Sequence, residues 1–207
     1  MQNNVVRGSV ADGVTLGYQY GRNSLVEAPG VAVISNNAIL NNANGIYMAG
    51  APSGTVIDNN LIRGSSATAV LVDSLLPSST LLRNNLIVEN KSGATLAASG
   101  AVHVKGDGIS TGPTVDLYSN TIAHNISSGV GVPAGLVVDA YATVNSSDNI
   151  FAFNQDLNAQ NIDTLIDLQS PGTRQYDLST DASLPPVGAF NLINTDPLFT
   201  ANWYLQG

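Results

Sequence analysis

The chain has 207 residues and a formal charge of −8, with only seven Lys and Arg. So small a basic set cannot form a phosphate-neutralising stripe, which excludes nucleic acid as a partner, and no run approaches the roughly 20 apolar residues of a membrane span, which argues against insertion. Charged residues make up 11%, where roughly a quarter is usual, and zero cysteines exclude disulfides and thiolate metal sites.

No linker-like run of Pro, Ser or like charge divides the chain, so one domain is expected. The first pattern is Asn4, followed two residues later by Val6. The same spacing returns at Asn37/Ile39, Asn60/Ile62, Asn85/Ile87, Asn120/Ile122 and Asn149/Phe151. Between successive anchors lie steps of 33, 23, 25, 35 and 29 residues, so a fixed unit is separated by loops of variable length. A second asparagine recurs five residues after the anchor, at Asn42, Asn90, Asn125 and Asn154.

A block reading small, apolar, variable, apolar comes next in each repeat. Its members are Gly13-Val14-Thr15-Leu16, Gly45-Ile46-Tyr47-Met48, Ala69-Val70-Leu71-Val72, Ala101-Val102-His103-Val104 and Gly135-Leu136-Val137-Val138. Period two places Val14/Leu16, Ile46/Met48, Val70/Val72, Val102/Val104 and Leu136/Val138 on one face of a strand. Short strand patterns such as Thr55-Val56-Ile57 and Val115-Asp116-Leu117 precede the next anchor, giving two or three strands per repeat.

From Gln155 to Pro186 the repeat is lost and Asp156, Asp163, Asp167, Arg174, Asp177 and Asp181 appear. Phe190-Asn191-Leu192-Ile193 then reads as a last partial rung, and Phe199, Trp203 and Tyr204 as a cover for the end of a coil. Residues 1–154 are thus expected to form coils, and residues 155–207 a last partial coil and cap of the same domain.

A parallel coil accounts for these features together. Equivalent strands of successive turns stack about 4.8 Å apart and bury one face in a common interior. The expected fold is therefore all-β, a single-stranded right-handed parallel β-helix of about six to seven coils. Asn4, Asn37, Asn60, Asn85, Asn120 and Asn149 should form a structural ladder, each taking a left-handed conformation at a bend and exchanging amide hydrogen bonds with its neighbours. The first coil shows no cap, so its edge is expected to meet a preceding domain, another subunit end to end, or further sequence.

The rungs Val115-Asp116-Leu117-Tyr118-Ser119-Asn120-Thr121-Ile122-Ala123-His124-Asn125 and Asn149-Ile150-Phe151-Ala152-Phe153-Asn154 resemble repeats of the pectate-lyase-like superfamily. More narrowly they are similar to bacterial surface proteins built of parallel β-helix repeats, many of which close on a segment like Asp196-Pro197-Leu198-Phe199. A Gly-Gly-Gly-Ile run common there is reduced here to Gly45-Ile46 or Ala-Val. This resemblance implies an extracellular or cell-surface location, although no signal peptide is present in this chain. It also implies a coil serving either as an adhesive rod or as a carbohydrate-active scaffold.

Enzymes of that superfamily act on acidic polysaccharides, which needs a base at the sugar carbon and a cation facing the developing charge. Alignment of the second strand block puts Asp73, Lys105 and Asp139 at one outward position of successive rungs, with His103 on the same face. A catalytic reading takes His103 or Lys105 as the base; the structural reading takes the column as a solvated ion ladder. Arg63 and Arg83, near turns of adjacent rungs, are candidates to grip a carboxylated glycan. No metal-binding spacing and no phosphate loop occur, so neither a metal nor a cofactor is expected.

Overall fold

The computed structural model describes residues 1–17, 31–50, 52–74, 77–106, 112–166, 169–181, 191–193, 195 and 197. Three long sheets run along the chain, and each turn visits them in the same order. In the second turn Ala38–Leu40 joins the first sheet, Asn44–Ala49 the second and Thr55–Asp58 the third, before Leu61–Arg63 returns to the first sheet one rung on. Among the described residues the first sheet has eight strands and the other two have six each, and their strands pair in parallel.

The registers stack equivalent residues into columns. In the first sheet Val6, Ile39, Ile62, Ile87, Ile122 and Phe151 lie over one another. The second sheet aligns Val14, Ile46, Val70, Val102 and Leu136. Ile34, Ile57, Leu82 and Leu117 form the column of the third. Nearly all of these are fully buried and share one continuous core, which is why alternation with period two was so regular in sequence.

The corners carry the polar half of the design. Asn37 donates from its backbone N (3.0 Å) and from Nδ2 (2.9 Å) to Asn60 Oδ1. The same double bond joins Asn60 to Asn85, Asn85 to Asn120, and Asn120 to Asn149, at 2.9–3.1 Å. Each Nδ2 also reaches a carbonyl of the previous coil, as from Asn85 to Ile57 O at 2.9 Å. Amides buried this deeply would be costly unless bonded, and here both the donor and the acceptor are used.

One expectation about this ladder is corrected by the backbone. The left-handed residue is the one before each anchor, namely Asn3, Asn36, Asn59, Asn84, Ser119, Asp148 and Tyr176, with φ between 53° and 59°. Turning the chain one residue early leaves the anchor free to point its amide inward along the stack. A second ladder, at the corner between the first and second sheets, follows the same rule. Asn41, Glu89, His124 and Phe153 take positive φ, and the residues after them stack, Asn90 on Asn125 at 3.0 Å and Asn125 on Asn154 at 2.8 Å.

The glycines that open three second-sheet blocks pass close to the next rung's backbone, where a Cβ on Gly45 would stand 2.4 Å from Ala69 O and one on Gly135 2.1 Å from Asp163 O, and two of them also pass close to the second ladder. A Cβ on Gly13 would stand 2.7 Å from Asn42 Nδ2, and one on Gly135 would stand 2.9 Å from Asn154 Nδ2. Beyond residue 154 the coil continues: Thr164–Ile166, Arg174–Gln175 and Leu178–Ser179 join the second, third and first sheets, and Leu192–Ile193 adds a further rung to the first. Asp167, Phe190, Asp196 and the aromatic set Phe199, Trp203 and Tyr204 lie outside the described residues.

Candidate functional site

The outward face of the second sheet carries the residues singled out from sequence. One outward column runs Thr15, Tyr47, Leu71, His103, Val137 and Leu165; the next runs Gly17, Ala49, Asp73 and Lys105. Asp73 and Lys105 are therefore in register, and Lys105 Nζ lies 3.5 Å from Asp73 Oδ2, with both side chains about one-third exposed. Asp139 follows Val138, the partner of Val104, but its carboxylate turns to the imidazole instead: His103 Nε2 lies 3.1 Å from Asp139 Oδ1.

His103 departs from the expected solvated ladder. It faces outward, as its position two residues from Lys105 requires, yet it is 0% exposed, and Val137 beside it is 1% exposed. Its Nδ1 is buried without a hydrogen-bond partner among the described residues. The buried imidazole ties Asp139 to the sheet. Tyr47, one rung before Leu71, has its hydroxyl held above the usual phenol range by burial and by the carboxylates of Asp73 and Asp12.

The two arginines end strands of different sheets, Arg63 in the first and Arg83 in the third. Arg63 Nε donates to Glu89 Oε2 at 2.8 Å, and Arg83 Nε lies 3.2 Å from Asp58 Oδ1; all four side chains are at least partly exposed. Each guanidinium is thus engaged by a carboxylate of a neighbouring rung. His124 sits in the second corner with its ring 5.0 Å from that of Phe153, and burial holds its imidazole below the ordinary range against the opposing charge of Glu89.

The longer insertions after Asn90 and Asn125 stack on one another at the corner between the first and second sheets. Lys91–Ser92 pairs with Ile126–Ser127, and Ser127 N donates to Gln155 O at 2.8 Å. Asp156 fastens the third layer by accepting from the backbone N–H groups of Gly131 (2.7 Å), Asn158 (2.9 Å) and Gln160 (2.8 Å), and these bonds hold its carboxyl below the usual range. The tips of the layers expose Leu96, Val130 and Leu157. No group of three or more His, Cys, Asp or Glu able to hold a metal occurs among the described residues.

Sequence reasoning missed two residues that matter for the ladders. Asp177 takes the anchor place after Asn149, whose Nδ2 donates to Asp177 Oδ1 at 2.9 Å, and Asp163 takes the place after Asn154, again at 2.9 Å. A signal for the first existed: Asp177 stands two residues before Ser179, which pairs with Phe151 as an anchor strand should. Asp163 gave no such signal, because the chain reaches it through the stacked hairpin Gln155 to Asn161.

Comparison with known families returns the description "right handed beta helix region" over residues 1–161. Neither the curated proteins nor the solved structures contain a match to the chain. With three parallel sheets in a repeated order and a family match over well over half its length, the chain belongs to the right-handed β-helix family.

Proposed function

We propose that the chain is a structural or adhesive β-helix module of an extracellular or cell-surface protein, presenting its outward sheets to a surface glycan without catalysing a reaction. The observation that carries this reading is the pairing of the candidate cations: Lys105 with Asp73, Arg63 with Glu89 and Arg83 with Asp58, each joining neighbouring rungs. A lysine flanked by a carboxylate is held protonated and makes a poor base. Such pairs, partly exposed, contribute well under about 1 kcal/mol each and serve to keep like charges from facing one another. A glycan would meet a long surface sparse in charged residues, which make up 11% of the chain, and end-to-end contact of the first coil with a neighbour would lengthen it.

A second reading rests on one observation, the His103–Asp139 pair two positions from Lys105 on the same sheet. An imidazole oriented by a carboxylate is a common general base, and the alternative function is a polysaccharide lyase, epimerase or hydrolase acting on an acidic chain. Burial of His103 weighs against it, since a base must come within hydrogen-bond reach of the proton that it removes. Incubating the protein with a panel of uronate and neutral polysaccharides, and measuring both retention on the polymer and newly formed reducing ends or unsaturated uronates, separates the two. Binding without new ends supports the module. Cleavage that disappears on His103→Gln in a folded protein would establish the enzyme.

A further inference from the structure

Several inward positions carry polar side chains, among them Thr55, Thr80, Thr164 and Arg174, and two others set a serine hydroxyl against a ladder carboxylate. Ser146 stands in the column of Leu82 and Leu117, and Ser179 in the column of Ile122 and Phe151. Ser146 Oγ donates to Asp177 Oδ2 at 2.5 Å, while Ser179 Oγ lies 3.0 Å from Asp163 Oδ2. Asp163 Oδ2 also accepts from Thr180 N (2.9 Å) and Thr180 Oγ1 (2.8 Å). Two ladders at different corners therefore meet the same device in neighbouring coils: an amide replaced by a carboxylate, with a hydroxyl placed in the core to donate to it.

The chemical difference is directional. An asparagine accepts from the rung before and donates to the rung after; a carboxylate can only accept. Past these points the ladders are carried by backbone N–H groups alone, from Asp177 N to Asn191 Oδ1 (3.0 Å) and from Asp163 N to Asp181 Oδ2 (2.9 Å). Both aspartates are almost wholly buried. Their charged surroundings are few: Asp181 stands near Asp163 across the Ser179 hydroxyl, whereas Asp148 and the buried Arg174 stand near Asp177. Among the described residues no ion pair joins Arg174 to Asp177 and its Nε and Nη2 have no hydrogen-bond partner, although the Asp177 charge acts on its guanidinium.

We propose that the two interruptions make the coil containing Arg174–Gln175 and Leu178–Ser179 a pH-responsive segment, closed on its neighbour in mildly acidic solution and loosening as the buried carboxyls ionise, while the earlier coils hold throughout. Burial first, then the charge of Asp181, holds the Asp163 carboxyl above its usual range against the donors Asn154 and Thr180. Burial likewise outweighs the Ser146 and Asn149 bonds at Asp177, with Asp148 adding to the rise. A group whose folded value is raised stabilises the fold fully below its unfolded value, about 4, and that contribution is lost as pH rises through the folded value. In the acid form the new carboxyl proton can donate to Ser146 Oγ, so the contact reverses direction without being lost.

Hydrogen exchange of the whole chain at about pH 5 and about pH 8, corrected for intrinsic rates, tests this. Peptides covering residues 164–166 and 174–179 should lose protection at the higher pH, because the stabilisation from carboxyls raised in the folded state is lost as they ionise. Peptides covering Leu61–Arg63 and Leu86–Val88 should not change. In Asp177→Asn the response at 174–179 should vanish, because the amide restores the donor. Equal protection at both pH values, a response of opposite sign, or a response that survives in both Asp177→Asn and Asp163→Asn would overturn the proposal. Should either variant fail to fold, carbon-13 titration of the aspartate carboxyls in the natural protein decides: two groups titrating above the normal range are expected, and none doing so is contradictory.

Discussion

The middle coils and the coil after residue 160 use one architecture with two chemistries. Around Ile87 and Ile122 the first-sheet core positions are aliphatic and the corner amides form unbroken ladders, each amide bonded to the equivalent amide one rung away. Around Ser179 and Arg174 the core positions are polar, and the corner groups are Asp163 and Asp177. The contrast shows what a solenoid needs at each level. Stacked backbones hold the register in both regions, whereas transfer of apolar surface and two-way amide bonds operate only in the first.

The largest effect that should separate the regions is cavity formation. Ile122→Ala removes most of a fully buried side chain between Ile87 and Phe151 and should lower stability by roughly 2–5 kcal/mol in denaturant titrations. Ser179→Ala, in the same column, removes one donor from a carboxylate that keeps four others and should cost about 1 kcal/mol. Comparable losses from the two substitutions would show that the polar coil is packed as the middle ones are.

A prediction of opposite sign concerns the stacked insertions. The folded carboxyl of Asp156 is depressed by its three backbone donors, so its contribution is present above the unfolded value and is lost as pH falls through the folded one. Acid should thus loosen the hairpin from Gln155 to Asn161 while tightening the Asp163 and Asp177 contacts, and amide exchange at Gly131, Asn158 and Gln160 should accelerate at about pH 3. Asp156→Ala should show the same acceleration at neutral pH. Unchanged exchange in that variant would mean that the layers are held by their other backbone bonds, such as Leu157 N to Gly129 O and Ser127 N to Gln155 O.

The smallest effect is expected at Lys105. Its pair with Asp73 is open to solvent, so Lys105→Ala should change stability by less than about 1 kcal/mol and leave any glycan binding nearly intact. A loss of glycan binding or turnover in the folded variant would move the functional surface to this column.

The fold was legible because its information is periodic: Asn4 to Asn149 and the paired aliphatic positions of the second sheet repeat in sequence what they do in space. What was not legible lacks a fixed residue type or spacing. The left-handed turn is made by Asn84, Ser119, Asp148 and Tyr176 alike, so identity does not mark it. His103 reads as a surface residue from its strand position, and its burial depends on neighbours that strand periodicity does not place. Asp163 stacks under Asn154 only because an irregular hairpin returns the chain to the corner.

The claim underlying both regions is that a ladder rung must donate as well as accept unless a core hydroxyl stands ready. Asn120→Asp tests it most directly. The new carboxylate would face Leu82 O and Asn149 Oδ1, which now accept from Asn120 Nδ2, and the inward neighbour on the preceding rung that corresponds to Ser146 is the apolar Leu82. Denaturant titration at about pH 7 should show a loss of roughly 3 kcal/mol or more, partly recovered at about pH 4 as the acid regains one donor. Stability equal to that of the natural protein at both pH values would contradict the account.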